Sequence, residues 1–133
     1  LQPGVSMDQP GAGRQFGDVL KDAAARYAVG ETVTVRFQTG HPKNHLRRND
    51  TFLEVQRQVG GRWVTVADDG DWSTRYRWVR IFAAESAADI SWTIPSGTSP
   101  GVYRIVHRGD AKAWSGDVTP FTGVSRSFEV RGR

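Results

Sequence analysis

The stretch RWVTVADDGDWSTRYRWVR, residues 62–80, decides the reading of the fold. Its first seven residues, RWVTVAD, read as a strand returning from the Gly60-Gly61 turn. Asp68-Asp69-Gly70-Asp71 then interrupts, in residue types that favour turns. Beyond it the side chains alternate, with Tyr76 and Trp78 on one side and Arg75 and Arg77 on the other. A side-chain period of two marks strands. Trp63, Trp72 and Trp78 lie within this stretch and Trp92 follows, so four of the five tryptophans fall in thirty residues of a chain without cysteine. Tryptophans on inward strand positions would anchor a core without disulfides, whereas on a surface they would form a platform for a ligand.

Upstream, Gly60-Gly61 is a two-residue hairpin signal joining this strand to TFLEVQRQV, where Leu53 and Val55 share a face. Before that, Gly40 to Asn44 reads as a loop, and ETVTVRFQT places Val33, Val35 and Phe37 on one side. In GDVLKDAAARYAVG, the spacing of Val19, Leu20, Ala23, Ala24 and Tyr27 predicts a short helix or helical turn ending at Gly30. An edge strand at 16–20 followed by a helical turn is the alternative. Residues 1–15, with Pro3, Gly4, Pro10, Gly11 and Gly13, have linker composition.

Downstream, ADISWTIP alternates with Ile90, Trp92 and Ile94 inward, and Pro95 to Gly101 is a turn. VYRIVHR sets Tyr103, Ile105 and His107 on one face, a loop carrying Trp114 runs to Phe121, and VSRSFEV closes as the last strand. About seven short strands separated by turns predict an all-β, antiparallel sandwich. Tyr103, just after Pro100-Gly101, suits a tyrosine corner, in which the hydroxyl bonds back to nearby backbone.

The chain has 133 residues, the size of one domain, and 38% hydrophobic composition, enough for a core. No run approaches the ~20 apolar residues needed to span a bilayer. The opening LQPGVSMDQPGAG has no leader pattern and no initiator methionine, which suggests a piece of a longer product. Net charge is +4, and the basic residues form no block, so nucleic acid is not expected as a partner. Richness in Arg, Ala and Gly suggests a bacterial source, where the glycosylation acceptor Asn49-Asp50-Thr51 would be idle.

No catalytic or metal pattern emerges. His41, His45 and His107 do not form a zinc motif, and the acidic residues around Gly70 lack calcium-loop spacing. No nucleophile elbow or phosphate loop is present. Catalytic residues, metal ligands and cofactors are therefore expected to be none in this chain. The loops are the expected contact regions, since sandwich loops cluster at the two ends. They name His41, Lys43, Asn44 and Asn49 in one, and Asp69, Asp71 and Trp72 in the other. Arg75, Arg77 and Arg80 beside Tyr76 and Trp78 leave a membrane surface as an alternative partner.

Several segments in order carry a resemblance. They are Phe16-Gly17-Asp18-Val19, Pro42-Lys43-Asn44, Thr51 to Val55, Trp63 to Val66, Asp69 to Thr74, Trp78, Ile90 to Pro95 and Pro100 to Ile105. Together they resemble the C-terminal domain of the neutral (neutral/alkaline, non-lysosomal) ceramidases over residues 16–130. That resemblance implies an immunoglobulin-like C-terminal domain over 16–133, preceded by an interdomain tail at 1–15. It implies a parent enzyme that hydrolyses the amide bond of ceramide to sphingosine and fatty acid, with zinc in a separate N-terminal catalytic domain. That domain would be this one's partner, with a membrane surface or ceramide as further candidates. The parent would be secreted or cell-surface. A membrane-engaging module and a free-standing carbohydrate- or protein-binding sandwich are the other readings.

Overall fold

A computed structural model describes residues 17–39, 53–82, 85–112 and 118–132. Among these residues ten strands occur in this order: β1 (Val19–Lys21), β2 (Arg26–Ala28), β3 (Thr32–Thr39), β4 (Leu53–Val59), β5 (Arg62–Asp68), β6 (Thr74–Phe82), β7 (Glu85–Thr93), β8 (Gly101–Lys112), β9 (Val118–Val124) and β10 (Phe128–Arg131). One sheet runs β1-β3-β7-β6 and the other β2-β10-β8-β4-β5, with β9 also on β8. Val106 and His107 pair with β4 on one side and β9 on the other, so β9 and β10 share one edge of β8.

Alternation builds the core. Val33, Val35, Phe37 and Ile90 from the first sheet are fully buried, as are Val55 and Ile105 from the second. The two inner faces meet where Trp92 lies 5.3 Å from Tyr103, ring to ring. His107 is a core residue. Its Nε2 lies 2.8 Å from the Thr39 hydroxyl, and its ring contacts Phe37, Tyr76 and Phe121. Burial pushes the Tyr76 phenol up to about 12, with the Thr39 hydroxyl pulling it back.

Several expectations are met in detail. Gly60 and Gly61 have φ of 56° and 81°, the two positive values that a tight primed turn requires, and Val59 pairs with Arg62 across it. The Tyr103 hydroxyl donates to the Ser99 carbonyl at 2.6 Å, completing the tyrosine corner.

Other expectations are corrected. There is no helix among the described residues. Residues 19–21 pair with β3, and residues 26–28 pair in parallel with β10, so the sheets are not wholly antiparallel. Each half finds an open sheet edge, and this long-range pairing overrides the local helical preference. The link is held by side chains: the Asp22 carboxylate accepts from the Ala23 and Arg126 amides, and the Tyr27 hydroxyl accepts from the Ala24 amide. The run VSRSFEV is not one strand. At Ser125 the hydroxyl accepts from the Ile105 amide in place of a carbonyl, and the break separates β9 from β10. Residues up to Phe121, expected as loop, include β9; Pro120 within it sits opposite Asp110 on an outer edge, where a missing amide is tolerated.

The end of β9 packs unusually close to the start of β1. A Cβ added at Gly123 would lie 2.3 Å from the Gly17 carbonyl oxygen and 2.7 Å from the Phe37 ring. Gly17, at φ 92°, donates its amide to the Gln38 carbonyl.

Candidate functional site

The tryptophans divide. Trp92 is 2% exposed and belongs to the core, while Trp78, opposite the buried Ala88, is half-buried with the Arg80 guanidinium over its ring. Trp63 is half-buried on the outer side of the second sheet, under Arg104 at 4.2 Å. Trp72 is 78% exposed.

The turn before Trp72 is fixed by its own acidic residues. Asp68 Oδ1 accepts from the Gly70 amide at 2.9 Å, and Asp71 Oδ2 accepts from the Asp68 amide at 2.8 Å. The Thr74 hydroxyl donates to the Asp68 and Asp71 carbonyls. Asp68 and Asp71 are thus engaged in turn chemistry, and among the described residues no group of three His, Asp or Glu is placed to hold a metal. The turn leaves Trp72 exposed directly after Asp71.

Beside Trp72 the β4–β5 hairpin forms the end of the second sheet. Glu54, Gln56 and Thr65 face outward, joined by hydrogen bonds, with Arg104 bonded to Gln56 and Arg108 to Glu54. By alternation Arg57 and Val59 continue the inward side that begins at Leu53 and Val55, and Val64 lies opposite Arg57. This inward side runs out of cover. Val59, Val64 and Val66 are each nearly half exposed, and with Val124 and Trp72 they are the exposed large hydrophobic residues among those described. Val66 is the extra residue of a bulge, since Gln56 pairs with Thr65 while Val55 pairs with Ala67.

Between the hairpin and the β7–β8 turn lies a groove of about 280 Å³, lined by Arg57, Val66, Trp72, Trp92, Pro95 and Tyr103 among others. Arg57 donates to the Pro100 carbonyl at 3.3 Å. A Cβ at Gly101 would lie 3.1 Å from its Nε, so the glycine makes room for the guanidinium. Among the described residues, neither Arg57 Nε nor Trp92 Nε1 has an acceptor, and Arg57 has no carboxylate partner. Burial raises the Tyr103 phenol, and the nearby Arg57 charge opposes that rise.

The outer side of the first sheet is different in kind. Thr32 bonds Thr93, Thr34 bonds Ser91, and Arg36 forks onto Asp89. Arg77 stands opposite Asp89 on β6, and Arg36, Arg77 and Lys21 all hold the Asp89 carboxyl below its usual range. With Arg75 on the same strand side, the fold gathers four cations that are scattered in sequence.

Of the expected contact residues, the structure therefore places Asp69, Asp71 and Trp72 on one turn beside the groove. His41, Lys43, Asn44 and Asn49 lie outside the described residues, as do the segment 1–15 and Trp114. Arg57 and Val66, which line the groove, and the exposed Val64, which pairs with Arg57, were not foreseen. Alternation gave their side of the hairpin, but how far the facing sheet extends is a tertiary fact.

A two-sheet β domain with an uncovered apolar edge is the class these features define. The sequence profile described as "Neutral/alkaline non-lysosomal ceramidase, C-terminal" matches residues 1–130, and the chain belongs to this family. It is 50% identical over 137 residues to the neutral ceramidase of Pseudomonas aeruginosa, covering 99% of this chain and 20% of that protein. It is 44% identical to the neutral ceramidase of Mycobacterium tuberculosis, covering 91% of this chain and 19% of that one. A solved structure, "Crystal Structure Analysis of neutral ceramidase from Pseudomonas aeruginosa", superposes with a TM-score of 0.93 at 49% identity, covering 100% of this chain and 22% of that one. The chain thus spans about a fifth of the length of these relatives.

Proposed function

We propose that this chain is a non-catalytic C-terminal domain that packs on and stabilises the catalytic portion of a neutral ceramidase. That enzyme would cleave the N-acyl bond of ceramide to sphingosine and fatty acid, outside or at the surface of the cell. One observation carries the reading: an apolar edge containing a 78% exposed tryptophan, in a chain spanning a fifth of its relatives. Covering Trp72 alone would contribute on the order of 4 kcal/mol from apolar area removed from water. The described residues offer no donor set for zinc, so no step of the chemistry is assigned to them. The strand orders β1-β3-β7-β6 and β2-β10-β8-β4-β5, with the tyrosine corner, support an immunoglobulin-like arrangement.

The experiment is ceramide hydrolysis by the 133-residue chain with added zinc. No turnover above background is expected, and measurable turnover would contradict the proposal.

A second role, contact with an anionic membrane, is favoured by the outer cluster of Lys21, Arg36, Arg75 and Arg77. It predicts vesicle binding that weakens with salt. The carbohydrate-binding alternative would use Trp72 as a platform beside the hydrogen-bonding groups of Arg57, Ser73, Thr98 and Ser99 in the same groove.

A further inference from the structure

We infer that the groove between the β4–β5 hairpin and Trp72 receives a segment of the catalytic portion of the same polypeptide that places an acidic side chain against Arg57. The inference rests on the proposed packing role and names where and how the packing occurs.

Three observations converge on this face. The inward side of the hairpin is apolar and nearly half exposed at Val59, Val64 and Val66, and Trp72 stands next to it. An apolar face built by core-type alternation is the kind of surface that a further layer of structure covers. Arg57 lines the groove between apolar Val66 and Trp72 and polar Ser73 and Ser99, held by the Pro100 carbonyl and the space left at Gly101, with no carboxylate partner among the described residues. Other arginines pair: Arg36 with Asp89, Arg108 with Glu54. A cation covered by an apolar interface requires an acceptor of opposite charge, and a carboxylate matches the guanidinium fork. Finally, about four-fifths of each relative's length lies outside the match, ample chain to supply such a segment.

The occupant therefore combines apolar side chains against Val64, Val66 and Trp72 with one Asp or Glu against Arg57. A second copy of this chain fits less well. Asp71, a carboxylate at the groove, is already bonded to the Asp68 amide within its own turn.

The test places photo-crosslinking benzoylphenylalanine at position 72 of the full-length protein, with position 64 as a second site in case the first impairs folding. Illumination is expected to join this domain to a peptide of the catalytic portion within one chain, a peptide containing Asp or Glu. Arg57→Gln is expected to reduce the crosslink yield about tenfold, as when one member of a covered charge pair is truncated. Arg77→Gln, on the opposite face, is expected to leave it unchanged. Crosslinks between copies, no intrachain crosslink from either position, or equal yields with Arg57→Gln would each overturn the inference. An intrachain crosslink would support it even if the catalytic portion proved stable without this domain. That last result would refute only the stabilising role.

Discussion

The Arg36 guanidinium holds the Asp89 carboxylate through two parallel bonds, 2.7 and 2.9 Å, across the central pair of the first sheet. The same contact raises the Arg36 guanidinium above its ordinary value and lowers Asp89. A depressed carboxyl adds stability above its unfolded pKa, and that stability is lost as pH falls through the folded value. Asp89→Asn should therefore lower stability near neutral pH by about 1 kcal/mol. It should also flatten the acid limb below pH 4, which urea midpoints across pH 2–7 would reveal.

Tyr103→Phe tests the tyrosine corner. It removes only the hydroxyl that donates to the Ser99 carbonyl, leaving the ring among Trp92 and Phe128. A loss of about 1–2 kcal/mol is expected, read by chemical denaturation at constant m-value.

Gly123→Ala should be more damaging. Its Cβ would enter the space of the Gly17 carbonyl and the Phe37 ring, so backbone must move. A cost of about 3 kcal/mol or more follows from such overpacking, against a few tenths for Gly97→Ala, whose Cβ meets nothing within 4 Å. Thermal melts of the two variants give the comparison directly.

At the alkaline end, Tyr76 should titrate near 12, above the ordinary phenol value, because its neutral form is buried. Its contribution to stability is complete below pH 10 and disappears as pH rises through 12. Absorbance at 295 nm should show this late phase, and Tyr76→Phe should remove it.

Much of this architecture was legible because it is local. Val33, Val35 and Phe37 declare their face by alternation, Gly60-Gly61 declares a turn, and Pro100-Gly101-Val102-Tyr103 declares a corner. The strand β1 was legible only as the alternative edge strand at 16–20, and β2 was not legible: three residues each, they depend on the pairing edges offered by Phe37 and Arg36, and by residues 129–131. Pro120 and Gly123 disguised β9 as loop. At the candidate site, Trp72 stood out as a tryptophan in a turn. Val64 and Val66 looked like ordinary strand valines, because local sequence does not show where the opposing sheet ends. The outer cations were equally hidden, since only the register β3-β7-β6 brings Arg36 and Arg77 to either side of Asp89.

The central claim, a stabilising domain without chemistry of its own, is tested most directly by separating the two parts. The catalytic portion is produced alone and then with the 133-residue chain added in trans. Its melting temperature and its ceramide turnover per folded molecule are measured in both states. The expected result is a rise in melting temperature on addition, with turnover per folded molecule unchanged. An unchanged melting temperature, or turnover that depends on the added chain at equal stability, would contradict it.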